Sequence, residues 1–469
     1  MSTIIIIALL SYGVLFLLIS PLVNLSLTAA GQTTAGQPEG RVRPRIPEDD
    51  LPPAINDPNL TLQTVATGLN RPTAMTFLGP DDMIVTEKDN GTVRRIFDGE
   101  VQEEPLIEVP VANDNGTNER GLLGMAVAKP NETTTYVFLY YTESGDGQTG
   151  SDAQGVVPAG NRLCRYELVE NPDDDDDSHA KLINPKLLLD LPARPGPRYN
   201  GGPLLVSQNQ SHITIYLMIG DLDHHRTEAL NYDDGPSPDG TGGIMASDAE
   251  GNPLPNPVLV GQVNGEEDIG MLPYYFAYGL RSGFGMAFDP VTGYRWDTEN
   301  GPDHGDEINL VLPGFNSGWA SIQGLASAPE NEGANPEEDL VNFGGKGVYR
   351  DPEFVWQDPV GVTAIKFLNS TALGEEYAND MFVADINNGR LYHFDLNQDR
   401  TGLLLEAPLD DKVADTVDEL ASVIFGTGFR SISDIEVGPD GYLYLLLYAP
   451  GRIVKIAPEE VEEDEDDDD

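Results

Sequence analysis

RSISDIEVGPDGYLYLLLYAPGRIVKI, residues 430–456, reads as a short apolar strand, a Gly-Pro-Asp-Gly turn, a second apolar strand and a Gly-led closing strand. The same theme occupies residues 71–96, RPTAMTFLGPDDMIVTEKDNGTVRRI, and recurs in four weaker copies that start near Gly121, Gly201, Arg281 and Gly361. Apolar runs of this length bounded by Gly, Pro, Asn and Asp are strand signals, and self-similarity on this scale marks stacked or radial units. The six copies predict an all-β fold, a six-bladed β-propeller of four-stranded antiparallel blades. An open ring would leave sheet edges unpaired, so strands from the two ends of the chain are expected to close it. Loops from every blade then meet at one axial mouth. The helical signal is slight: residues 411–422, DKVADTVDELAS, have the apolar spacing of a short loop helix.

Around this unit the composition is extreme. The 469 residues carry 78 acidic and 27 basic side chains, a formal net charge of −51. That balance excludes a nonspecific nucleic-acid partner. It suits a protein kept soluble in high salt, where screening suppresses self-repulsion. Cys164 is the only cysteine, so no intrachain disulfide or thiolate metal cluster is available; its place in NRLCRYEL reads as a small buried side chain. Residues 4–23 form an uncharged apolar run long enough to span a bilayer, and small residues at Thr28 and Ala30 offer a cleavage point. Residues 1–30 are thus a signal peptide or a membrane anchor, the only expected contact with a membrane. The protein is expected outside the cytoplasm, secreted or anchored, and six Asn-x-Ser/Thr sequons beyond the run agree with export. Residues 31–58 read as a flexible linker, 59–457 as the propeller and 458–469 as a disordered acidic tail. Oligomeric state has no signature in the sequence.

The segment richest in chemistry is WDTENGPDHGDEINLVLPGFNSGW, residues 296–319. Gly301-Pro302 can turn main-chain carbonyls outward, and Asp303, Asp306 and Glu307 add carboxylates within a few residues. Hard cations take six to eight oxygens of these kinds, so Gly301, Pro302, Asp306 and Glu307 are the candidate ligands for calcium (Ca2+). Zinc is disfavoured because His304 is the sole nitrogen ligand. An acidic turn capping a strand is the alternative.

ENGPDHGDEINL followed by GFNSGW resembles the glucose/sorbosone dehydrogenase family, and RPTAMTFLGPDDMIVTEK, ERGLLGMAV, YNGGPLLV, MIGDLD, YGLRSGFGMAFDPVTG and ISDIEVGPDGYLY are similar to its blade motifs in order. The resemblance implies a six-bladed propeller using pyrroloquinoline quinone (PQQ) and calcium to oxidise the C1 hydroxyl of a small-molecule sugar to the lactone. It implies Arg281 as the quinone contact, Asn300 and Trp356 as further cofactor contacts, and Asp221 and Glu119 in the sugar pocket. It also exposes departures. The family's general-base His is Tyr199 here, and phenols, which ionise near ~10, are poor bases at neutral pH. Ser282 and Phe284 replace an Asn and a Gln, Asn387 stands where a Lys is expected, and Ser431-Ile432-Ser433-Asp434 lacks the family's basic residue, with Arg430 one position away as substitute. His224 and His225, close after Asp221, are candidate replacement bases. Tyr199, Arg281 and Asp221 are therefore the catalytic candidates for an exported aldose dehydrogenase. A non-catalytic cell-surface propeller that binds carbohydrate or a protein partner is the alternative, and a lactone or ester hydrolase a weaker third. The charge balance makes its own prediction: the melting temperature rises between low and molar salt, and an unchanged value would count against salt adaptation.

Overall fold

The structure is a computed structural model that describes residues 52–114, 116, 118–170, 180–209, 212–224, 226–232, 238–260 and 270–459. The N-terminal apolar run, the tether up to residue 51, His225 and the tail from residue 460 lie outside the described residues. Among the described residues no helix is long and apolar enough to cross a membrane.

The chain forms an all-β propeller with few helices. Its strands assemble into six sheets, each containing four antiparallel strands laid down largely in chain order. The first holds Pro72–Gly79, Asp82–Glu87, Thr92–Phe97 and Glu100–Val101; the second Leu122–Asn131, Thr134–Glu143, Gly160–Val169 and Lys181–Leu191. The third begins with Leu204–Asn209, His212–Ile219, Gly243–Asp248 and Tyr275–Tyr278. The fourth begins with Gly283–Phe288, Arg295–Glu299, Asp306–Val311 and Phe354–Trp356, and the fifth with Val362–Phe367, Met381–Asp385, Leu391–Phe394 and Ile424–Thr427. The sixth joins Ile432–Val437, Leu443–Leu447 and Arg452–Pro458 to the N-terminal Leu60–Thr67. The opening strand of each sheet touches that of the next, and Ile432–Val437 returns to Pro72–Gly79, so these strands circle the axis.

Closure is covalently distant and locally ordinary. Leu62 pairs with Ile456 and Thr64 with Val454 in an antiparallel ladder, as expected of a ring that must leave no edge open. Between neighbouring sheets the inward-facing side chains pack into hydrophobic clusters. Met75, Met83 and Val85 of the first sheet meet Leu446 and Ile453 of the sixth, while Leu368, Phe382 and Leu391 of the fifth sheet's region meet Ile435 and Ile456. Cys164 is buried, its sulfur 3.7 Å from the Tyr141 hydroxyl.

Three details differ from expectation. The sheets are not uniformly four-stranded: Phe315–Asn316 and Val348–Tyr349 extend the third, Val413–Ala414 the fourth and Ala54–Ile55 the fifth. Loop backbone thereby satisfies the outer edges. The described part of the presumed linker is accordingly structured, with Ala54 opposite Thr427 and Ile55 opposite Gly426. Residues 411–422 do not form one helix; Val413–Ala414 pairs in parallel with Val355 and Trp356, and a 3-10 turn covers only Val417–Ser422.

Ile456 is fully buried at the closing ladder, so Ile456→Ala deletes core volume where the two chain ends meet. We expect it to lower stability by about 3 kcal/mol, read as a lower denaturation midpoint; an unchanged midpoint would mean that closure adds little.

Candidate functional site

The axis opens into a cavity of about 470 Å³ lined by residues from all six sheets and their loops. Glu119, Tyr199, Arg281, Asn300, Gly301 and Pro302 share its surface. Six of the residues singled out from sequence are thus brought together from positions up to 183 residues apart (119 to 302).

Tyr199 and Arg281 form the centre of this wall. Tyr199 has a φ of 58°, a left-handed conformation that is unfavourable for a bulky side chain and is held by its surroundings. Its N–H donates to Glu119 Oε2. Behind it lies Gly220, where a Cβ would stand 2.4 Å from the Tyr199 carbonyl oxygen and 2.5 Å from that of Arg281; only glycine allows this approach. Arg281 Nη1 donates to the carbonyls of Asn300 and Gly301, both at 2.9 Å, and Nη2 donates to the Tyr199 hydroxyl. The guanidinium carbon lies 4.1 Å from the centre of the Tyr199 ring and 5.4 Å from that of Trp319. Arg281 is 7% exposed, and among the described residues it has no salt-bridge partner.

Asp221 stands behind this wall and does not reach the cavity. Its N–H donates to the Arg281 carbonyl at 2.9 Å, and its Oδ2 accepts from Trp319 Nε1 at 2.6 Å. It lines a recess of about 20 Å³ with Trp319 and His224, so the structure places the expected sugar contact behind the cavity wall. Burial pushes its pKa up to about 6, against the pull of the Trp319 hydrogen bond and the Arg281 charge. His224 sits in the same recess with Nε2 3.2 Å from the Arg194 carbonyl. Glu119 does reach the cavity, and burial raises its pKa too, opposed by the Tyr199 N–H and by Arg198 and Arg281.

The expected calcium ligands are not arranged as a set. Asp306 Oδ1 accepts from Gly301 N at 3.0 Å, and its Oδ2 takes the N–H groups of Val360, Gly361 and Val362. That carboxylate ties two loops together. Glu307 is buried beneath the turn, where Oε1 accepts from Gln323 Nε2 and Gly324 N. Facing the cavity, the turn offers at most the carbonyls of Gly301 and Pro302, the first already engaged by Arg281. Protein atoms alone fall far short of the six to eight oxygens calcium takes. Trp356 is also corrected: it is 1% exposed and packs edge-on against Phe354 and Tyr392 in the core between the fourth and fifth sheets. Arg430 is exposed and absent from the cavity lining, with its backbone against Gly389. Asn300 does line the cavity, its side-chain amide donating to the Val362 carbonyl at 2.8 Å.

Four participants were not foreseen. Trp319 closes the back of the Arg281 pocket. Lys88 and Lys366 line the cavity, paired with Asp89 at 2.8 Å and Glu436 at 2.6 Å. Asp434 lines the cavity as well, pushed up to about 8 by burial and by Glu436. The available clue was rarity: two of only eight lysines, each inside a copy of the repeat.

The position of Asp221 sets a pH dependence. A carboxyl whose folded pKa lies above its ordinary 3.8 binds its proton more tightly in the native state. Stability is then greatest below that ordinary value and falls as pH rises through about 6. Asp221→Asn keeps an acceptor for Trp319 but carries no charge, so its stability should gain on the wild type by on the order of 2 kcal/mol between pH 4 and 7. Parallel pH profiles for the two proteins would refute this.

Comparison with known proteins shows similarity over most of the chain. The profile of the Glucose / Sorbosone dehydrogenase family matches residues 69–455. Aldose sugar dehydrogenase YliI of Escherichia coli K12 is 24% identical over 405 residues, 85% of this chain and 93% of that protein. Quinoprotein glucose dehydrogenase B of Acinetobacter calcoaceticus is 25% identical over 335 residues, 66% of this chain and 65% of its own length. The PQQ-bound aldose sugar dehydrogenase of Streptomyces coelicolor shares the fold, with a TM-score of 0.57 at 20% identity over 85% of this chain and 98% of that one. With a match spanning most of its length, the chain belongs to the glucose/sorbosone dehydrogenase family.

Proposed function

We propose that the axial cavity oxidises the C1 hydroxyl of an aldose to the lactone with PQQ as hydride acceptor. The six sheets are read as six blades around that cavity, and the apolar run at residues 4–23 supports a protein that works outside the cytoplasm.

One observation carries this reading. Among the described residues Arg281 is a buried cation with no carboxylate in direct ion-pair contact, and it borders a cavity of about 470 Å³. A buried charge is costly unless it is paired, and a guanidinium fork is suited to carboxylates. An anionic ligand in the cavity would complete it. PQQ, flat and carrying three carboxylates, fits the donor set. Arg281, Lys88 and Lys366 would supply three cations and Asn300 an amide, while burial and Glu436 push the Asp434 carboxyl up to about 8, which lessens its repulsion of the ligand. When bound, the cofactor supplies the two-electron acceptor for hydride from C1. Calcium has no adequate site on protein atoms at this turn.

Glu119 takes the place of the base that Tyr199 does not provide. Its Oε2 is engaged by the Tyr199 N–H, leaving Oε1 to take the C1 hydroxyl proton as the C–H bond is broken. Burial brings its pKa toward neutrality, where a general base works best. Tyr199 and Arg281 orient the sugar oxygen, and Asp221 with Trp319 fixes Arg281. A second reading, a propeller that binds carbohydrate or a partner without redox chemistry, draws on the fact that Lys88 and Lys366 are already neutralised by Asp89 and Glu436.

Calorimetric titration of PQQ into the full chain in high salt separates the two. Saturable binding that weakens at least about tenfold in Arg281→Ala supports the enzyme, and Glu119→Gln should then retain PQQ while kcat falls about 10²–10⁴-fold. Absence of PQQ binding would remove the redox reading and leave the binder.

A further inference from the structure

We propose a site for a divalent transition cation of the zinc class, formed by Asp380, His393 and Asp395 at one end of the fifth sheet. Asp380 directly precedes the strand Met381–Asp385, and Asp395 directly follows Leu391–Phe394. In the antiparallel ladder between these strands Met381 faces Phe394 and Phe382 faces His393. Continuing that register by one residue sets Asp380 opposite Asp395. Side chains two apart on a strand share a face, so both carboxylates and the imidazole fall on the face that carries Phe382. Phe367 pairs with Met381, whereas Val362, which lines the axial cavity, pairs with Asp385. The three residues therefore gather at the end of the sheet away from the cavity, and the site is independent of the redox reading.

One carboxylate oxygen from each Asp and one ring nitrogen of His393 lie within 4.8 Å of one another. His393 Nε2 is 3.0 Å from Asp380 Oδ2 and 3.8 Å from Asp395 Oδ1. Ligand atoms ~2.0–2.1 Å from a tetrahedral zinc stand roughly 3.3 Å apart, so a small movement closes the three around an ion. The imidazole is held in place for this. Its ring packs against Phe382, Tyr377 and Phe425, with centroids 5.1, 5.3 and 6.0 Å away, and little freedom remains to be lost on binding. The side chains of Asp380 and His393 are 13% and 21% exposed, while that of Asp395, at 55%, leaves the ion a way in.

Like charges directly opposite across a ladder repel, and among the described residues no lysine or arginine pairs with either carboxylate. A neutral imidazole can hydrogen-bond one of them but cancels no charge; a dication cancels both. The nitrogen selects the ion. Calcium takes six to eight oxygens, whereas one imidazole with two carboxylates suits zinc and leaves a fourth position for water. Bound there, the cation would staple the ends of two strands. It would also steady the neighbouring edge, because Tyr377, packed on His393, donates its hydroxyl to Asp57 Oδ2 at 2.7 Å, close after the Ala54–Ile55 strand.

The test uses the full chain in high salt, which suppresses weak binding to the acidic surface. After chelation, zinc titration should show one tight equivalent and raise the melting temperature, and cobalt(II) in its place should give the visible absorption of a four-coordinate site. His393→Phe, which keeps the ring packing, and Asp395→Asn, at the exposed ligand, should each weaken zinc binding at least about tenfold. His304→Gln, which breaks the exposed His304–Asp303 pair at 2.9 Å, should bind zinc like the wild type. Wild-type protein that retains no zinc and melts identically with and without it would overturn the proposal, leaving His393 as a hydrogen-bonded bridge between two carboxylates. So would His393→Phe binding zinc as the wild type does, or loss of the equivalent in His304→Gln.

Discussion

The pairing of Leu60–Thr67 with Arg452–Pro458 is the constraint on which the remainder of the molecule depends. Each sheet buries its faces only against its two neighbours, so no sheet is complete until the ring closes. A ladder between residues almost 400 positions apart has a large sequence separation, and it is rewarded only because every inter-sheet cluster forms with it. The same closure brings one strand from each sheet to the axis and produces the cavity.

Within that cavity the chain holds an arginine under tight control. Stacking by Tyr199 and Trp319, two main-chain carbonyls and the Tyr199 hydroxyl fix its guanidinium, while Glu299 fixes its backbone. None of these contacts neutralises it through a direct ion pair. A cation so constrained is preorganised for an anionic or electron-rich ligand, because little side-chain freedom remains to be lost on binding. Asp221 and Trp319 belong to this support, which explains why an aspartate in a conspicuous motif lies behind the wall.

Charge is distributed unevenly between outside and inside. A formal −51 is spread over the whole chain, yet the cavity draws Lys88, Arg281 and Lys366 from a small basic complement. Burial raises the pKa values of Glu119 and Asp434 there, and of Asp221 behind its wall. The interior is therefore less negative than its composition suggests, and an acidic protein can still present a site fit for an anion.

The repeats, the closing strand pair and the segment at residues 296–319 were legible in the sequence because each depends on local chemistry: alternating apolar runs, turn glycines and a dense motif. Arg281, Tyr199 and Glu119 could be named from motifs alone, and the fold does bring them together. The faces on which side chains fall could not. Trp356 looked available to a ligand but points into the core between two sheets, and Asp306 looked like a ligand but accepts loop amides. Trp319 and Lys88 meet Arg281 or the cavity only after strands from different sheets converge. Sequence determined that this chain is an all-β propeller of the glucose/sorbosone dehydrogenase family, since repeat and motif are properties of neighbouring residues. Tertiary structure decided which carboxylates face the cavity, which hold backbone and which are buried together, because burial and partnership depend on residues far apart in the chain.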